Sequence, residues 1–105
     1  MQLIEIVDRN SVLIQQLLTV WERSVRATHL FLSDCEIKKI KEYVPQAMRE
    51  IEHLIIAENQ NGVPMAFIGV ENQRLEMLFI DPDERGKGLG RKLLQLGIKM
   101  DPINS

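Results

Sequence analysis

The chain has 105 residues, 45% of them hydrophobic and 27% charged, with a formal net charge of −2. That is enough for one small domain with one core and too little for two. It excludes a disordered polyelectrolyte, and acidic and basic residues are too evenly mixed for the basic stripe of a nucleic-acid-binding surface. No apolar stretch is long enough to span a bilayer, and the start MQLIEIVDRN lacks the basic and apolar regions of a signal peptide. The single cysteine, Cys35, has no internal disulfide partner, so a reducing cytoplasm is the expected compartment.

In chain order, Leu3–Val7 is short, β-branched and followed by Asp8-Arg9-Asn10, which predicts a first strand. Ser11 is the expected N-cap of a helix to about Ala27, with Leu13, Leu17, Val20, Trp21 and Ser24 on one face. Ser33 and Glu36 form the S-x-x-E pattern of a capping box, opening a second helix with Ile37, Ile40 and Val44. Pro45 interrupts it and is expected at the first position of a short extra turn. Leu54–Ala57 and Met65–Val70 read as strands joined by a hairpin at Asn59-Gln60-Asn61-Gly62. Glu71-Asn72-Gln73 turns into a fourth strand, Arg74–Ile80, ended by Asp81-Pro82. A glycine-rich segment then opens an amphipathic helix ending near Met100, with Leu89, Leu93, Leu96 and Met100 on one face. The order β-α-α-β-β-β-α predicts an α+β fold with a mostly antiparallel four-stranded sheet.

The segment Arg85-Gly86-Lys87-Gly88-Leu89-Gly90 is a candidate anion site. A loop that opens a helix directly after a strand presents amides with no intrahelical partner, and the helix dipole adds positive character there. Glycines at 86, 88 and 90 would let a diphosphate approach the backbone, with Lys87, Arg91 and Lys92 adding mobile positive charge. The P-loop spacing G-x-x-x-x-G-K-[ST] is absent. The dinucleotide spacing G-x-G-x-x-G is absent too, because these glycines alternate.

What the segment resembles is the acetyl-CoA signature of the GNAT acetyltransferases, [QR]-x-x-G-x-[GA], here Arg85-x-x-Gly88-x-Gly90 preceded by Leu78-Phe79-Ile80-Asp81-Pro82. The resemblance implies the N-terminal part of the GNAT acyl-CoA N-acyltransferase fold and acetyl-CoA as cosubstrate; no metal is expected, since His29 and His53 are far apart in the chain with no ligand cluster at metal spacing nearby. It implies pantetheine along Leu78, Phe79 and Ile80, and diphosphate held by amides between Arg85 and Arg91. The segment Trp21–Leu32 also resembles the first helix and loop of one bacterial GNAT subgroup, which would place His29 and Phe31 beside the acceptor. The other reading leaves His29 a hydrogen-bonded loop residue. Strand alternation puts Glu76 on one face with Arg74, Leu78 and Ile80. The resemblance implies a base or an acceptor-binding acid at this point of the strand, with Glu76 the candidate; the other reading is a carboxylate paired with Arg74 or solvated.

Family members carry a further strand, then a tyrosine-bearing helix that supplies the acid. The only tyrosine here, Tyr43, precedes the motif, so the chain is expected to be a truncated domain. An edge strand rich in Leu, Met, Phe and Ile would then be uncovered, which implies a homodimer or larger assembly through that edge. Three functions follow from the resemblance: transfer of an acetyl group to a primary amine of a small molecule or peptide, binding of CoA or a related phosphate ligand without turnover, or a non-catalytic remnant.

Overall fold

The computed structural model describes residues 1–28 and 31–100. Strands β1 (Gln2–Glu5), β2 (His53–Glu58), β3 (Pro64–Glu71) and β4 (Arg74–Ile80) form one antiparallel sheet in the order β1-β2-β3-β4. Helices α1 (Ser11–Thr28), α2 (Asp34–Lys41) and α3 (Val44–Glu50) precede β2, and α4 (Leu89–Met100) follows β4. The element order and antiparallel sheet are as expected; α3 is a full short helix rather than a single turn.

Strand alternation divides the core in two. One face turns Leu54, Ile56 and Phe67 toward Ile14, Leu17 and Trp21 of α1 and Met48 of α3. The other turns Ile55, Ala57, Ala66, Ile68 and Val70 toward Leu89 and Leu93 of α4. Gly90 and Gly97 bring α4 close to the sheet: a Cβ on Gly90 would lie 3.0 Å from Cδ1 of Ile80, and one on Gly97 would lie 3.2 Å from Cγ2 of Val70. Leu96 is only half-buried, and the side chain of Met100 lies outside the description.

Several local expectations shift. Asn10, not Ser11, caps α1, its Oδ1 accepting from the amide of Leu13 at 2.9 Å. The capping box forms as expected: the Glu36 amide donates to Ser33 Oγ and the Ser33 amide to Glu36 Oε1, both at 3.1 Å. Ile40 is exposed rather than buried, because α2 ends at Lys41 before a second apolar turn can face the sheet. Val44 begins α3, which leaves Pro45 at its second position. Asn72 and Gln73 both take positive φ in a two-residue turn that joins β3 to β4.

Candidate functional site

β4 is an edge of the sheet, with no strand beyond it among the described residues. The Asp81 amide donates to the Met65 carbonyl at 2.8 Å, which fixes the phase of the β3–β4 ladder. By alternation, the backbone groups of Met77 and Phe79 face β3, while those of Leu78 and Ile80 face outward. Leu78 also keeps 37% of its surface exposed. An extended ligand arm laid along this edge would therefore meet N–H and C=O groups of Leu78 and Ile80. Phe79 is placed differently from expectation. Its ring packs on Phe67, with centroids 5.5 Å apart, and belongs to the α1-side core.

The expected face for Glu76 is corrected as well. Gly69 pairs with Met77 and Val70 with Leu75, so Glu76 is the extra residue of a β-bulge. A bulge breaks the period of two that put Glu76 with Leu78 and Ile80. Instead Glu76 and Met77 together line a hollow of about 350 Å³ with Ala47, Glu50, Ile51 and Glu71. Gly69 sits opposite because a Cβ there would meet Met77 and Ile51 at 3.2–3.3 Å. Sequence spacing contains no count of the residues on the facing strand, so the bulge could not be read from it.

Below Ile80 the chain enters a 3-10 turn, η1 (Pro82–Glu84), capped by Asp81 and followed by Arg85. Asp81 is 6% exposed and its Oδ1 accepts from the amide of Asp83 at 2.9 Å. Arg23 of α1 reaches across: Nε to Asp81 Oδ2 at 2.7 Å, Nη2 to Asp81 Oδ1 at 3.3 Å, and Nη2 to Asp83 Oδ2 at 3.2 Å. The hydrogen bonds from this guanidinium hold the Asp81 carboxyl below its ordinary range against the opposing effect of burial. Arg85 returns the contact, its Nη2 donating to the Ser24 carbonyl at 3.3 Å and to Ser24 Oγ at 3.1 Å.

Beyond Arg85 the character changes. Gly86 and Gly88 have φ of +81° and +75°, conformations that L side chains rarely adopt, and nothing lies within 4 Å of where their Cβ atoms would be. Lys87 is exposed and pairs with Glu84 at 3.2 Å. The Gly88 carbonyl accepts from the Lys92 amide at 3.2 Å, the first turn of α4, so the amides of Leu89 and Gly90 lie in the turn that lacks intrahelical acceptors. Gly90 serves the packing on Ile80 rather than an open cradle. The Leu89 side chain is buried, whereas Arg91 and Lys92 are exposed at the helix start. The open glycine turn and the first amides of α4 are continuous with the outward edge of β4.

Among the acceptor candidates, Phe31 is 86% exposed and His29 lies outside the described residues. Sequence reasoning missed Arg23, Ser24 and the role of Asp81. Asp81-Pro82 is a recognisable turn-capping pair, but nothing in the spacing joins it to an arginine 58 residues earlier.

The acetyltransferase (GNAT) domain family matches residues 22–100. The peptidyl-lysine N-acetyltransferase YjaB of Escherichia coli K12 is 38% identical over 88 residues, 84% of this chain and 59% of that protein. Its counterpart in Salmonella typhimurium is 34% identical over a stretch of the same length, so the chain spans about 60% of the curated relatives it matches. The solution structure of apo YjaB from E. coli superposes with a TM-score of 0.80 at 33% identity, covering 97% of this chain and 68% of that one. The PaiA N-acetyltransferase of Thermoplasma acidophilum, solved with coenzyme A, shares the fold at a TM-score of 0.70 and 19% identity, covering 95% and 72%. A family match over residues 22–100, joined to a bulged sheet edge that runs into a glycine turn and a helix start, leaves one conclusion: the chain belongs to the GNAT acetyltransferase family.

Proposed function

We propose that this chain binds acetyl-CoA and contributes the cofactor side of an N-acetyltransferase site whose acceptor is a primary amine, with peptidyl lysine the first choice. The observation that carries the reading is the unbroken path from the outward backbone of Leu78 and Ile80 to the open turn at Gly86–Gly88 and the first amides of α4. The lysine preference rests on the YjaB relatives, which are named as peptidyl-lysine acetyltransferases.

Bound acetyl-CoA supplies an activated thioester. The residues of this chain do the rest of the work on their side of the cleft. Amides at residues 86–90 hold the diphosphate, with Lys87, Arg91 and Lys92 balancing its charge. Leu78 and Ile80 position the pantetheine by backbone hydrogen bonds. Glu76, on the bulge, would take the proton that the amine loses and pass it, directly or through water, to the departing CoA thiolate. In the absence of CoA the same uncovered edge supports pairing with a second copy of the chain, in competition with the pantetheine arm. No described helix is long and apolar enough to cross a membrane, and we place the chain in the cytoplasm, where a lone Cys35 stays reduced.

Calorimetric titration with CoA and a thiol-release assay with a lysine-bearing peptide test the reading. CoA should bind, and Glu76→Gln should bind it equally while losing about tenfold or more in any thiol release. Binding without release in the unaltered chain leaves a CoA-binding module; no binding overturns the proposal. Light scattering should show a dimer, and a monomer at all concentrations removes the paired edge.

A further inference from the structure

We propose that Arg23 is a positioning residue for the diphosphate site, holding the start of the η1 turn to α1 and neutralising two carboxylates that would otherwise repel the ligand. The proposal rests on the acetyl-CoA reading above. Its basis is where the contacts fall. Two consecutive residues of α1 take the two caps of one turn: Arg23 takes Asp81 at the start, and Ser24 takes Arg85 at the end. The glycine turn leaves directly from the second of these anchors. Gly86 and Gly88 carry no side-chain restraint of their own, so the direction in which their amides point is inherited from Arg85 and from the start of α4.

Charge gives Arg23 a second role. Asp81, Asp83 and Glu84 lie just ahead of a site that must accept a multiply charged anion. Arg23 offsets Asp81 and Asp83, and Lys87 offsets Glu84. Removing Arg23 leaves two carboxylates uncompensated within roughly one or two screening lengths of the diphosphate, about 10 Å each at 0.1 M salt. A purely structural arginine would lack this effect on an anionic ligand. Arg23 is itself half-exposed on α1 and its ion pairs go to Asp81 and Asp83, so its influence runs through them and the turn they form.

The experiment measures CoA affinity by calorimetry at low salt and thermal stability in parallel, on the full chain and three variants. Arg23→Met should weaken CoA binding about tenfold, the loss shrinking as salt rises. Arg23→Met with Asp83→Asn should recover about half of that loss on a logarithmic scale without recovering the unfolding midpoint. Arg23→Lys, which keeps the charge and the fold but not the forked geometry, should lose about threefold and remains informative if Arg23→Met does not fold. Unchanged CoA affinity in Arg23→Lys and Arg23→Met overturns the proposal, as does a double variant that recovers no affinity. If the unaltered chain fails to bind CoA, the underlying reading falls and the proposal with it. If it binds while the variants bind equally, only the proposal falls.

Discussion

The connection between β4 and α4 has two halves built on opposite principles. From Asp81 to Arg85 the chain is held by side chains: a buried carboxylate, a forked arginine and a guanidinium returned to α1. From Gly86 to Gly88 it is shaped by the absence of side chains, with positive φ at both glycines and open space around them. The first half fixes where the second begins, and the second leaves its amides accessible. Stability and binding should therefore respond to different substitutions within a stretch of eight residues.

The largest expected effect separates the two halves most sharply. Gly88→Val puts a β-branched residue at φ +75° and a side chain where the cradle is open. CoA affinity should fall about a hundredfold, roughly 2.7 kcal/mol. The folded core should survive, because no packed neighbour is displaced. A calorimetric titration beside a thermal melt checks both parts. Equal loss in both would mean that the glycine turn is as structural as the anchored half.

Gly90 tests the boundary between that turn and the helix. Ile80 Cδ1, the far end of a flexible side chain, lies 3.0 Å from the position of a Cβ, so Gly90→Ala should be nearly neutral as Ile80 yields and the helix gains propensity. Gly90→Val adds branches that Ile80 cannot evade and should cost about 2 kcal/mol by denaturant titration. Destabilisation by alanine as large as by valine would show the contact to be rigid.

The sequence was most informative where a single element carries the signal. Stripes of period 3.6 placed α1 and α4, and short apolar runs bounded by turn residues placed β2 and β3, because burial leaves its mark locally. The motif Arg85-x-x-Gly88-x-Gly90 located the open turn for the same reason: its demands on φ and on space are met by adjacent residues. Features that join distant segments were not legible. The Arg23–Asp81 fork spans 58 residues, and the bulge at Glu76 depends on how β3 and β4 count against each other. Even Gly90 reads alike for two purposes, a cradle for a ligand or a close approach to Ile80, and only the packed neighbour decides.

A smaller effect comes from acid. The Asp81 carboxyl is depressed below its ordinary 3.8, mainly by hydrogen bonding from Arg23. The unfolded chain therefore takes up this proton first as pH falls. The contribution to stability is complete above about pH 4 and is lost as pH drops through the folded value. Glu22 is also depressed, from 4.5, by hydrogen bonds from Lys41 and Arg26, so the full acid transition contains more than one group. Asp81→Asn keeps an oxygen for the cap and should flatten part of the slope below about pH 4, leaving the portion due to Glu22, Asp34 and Glu36, which are also depressed. Unfolding midpoints between pH 2 and 7 measure it, and an unchanged slope would place the anchor of the first half elsewhere.

The smallest expected effect belongs to Lys87, which stands in the free half but pairs back to Glu84 in the anchored one. An exposed lysine next to a bound anion contributes by charge alone, and its flexible stem gives up entropy to do so. Lys87→Ala also releases Glu84, so the local change in charge is felt twice by a diphosphate. CoA affinity should fall about two- to threefold at low salt and by little at 0.5 M, where screening acts within about 4 Å. The unfolding midpoint should stay where it was, since surface pairs of this kind are worth little to the fold. A loss of affinity that persists at high salt would instead assign Lys87 a direct, fixed contact, and the glycine turn would then owe its binding to a side chain as well as to its open backbone.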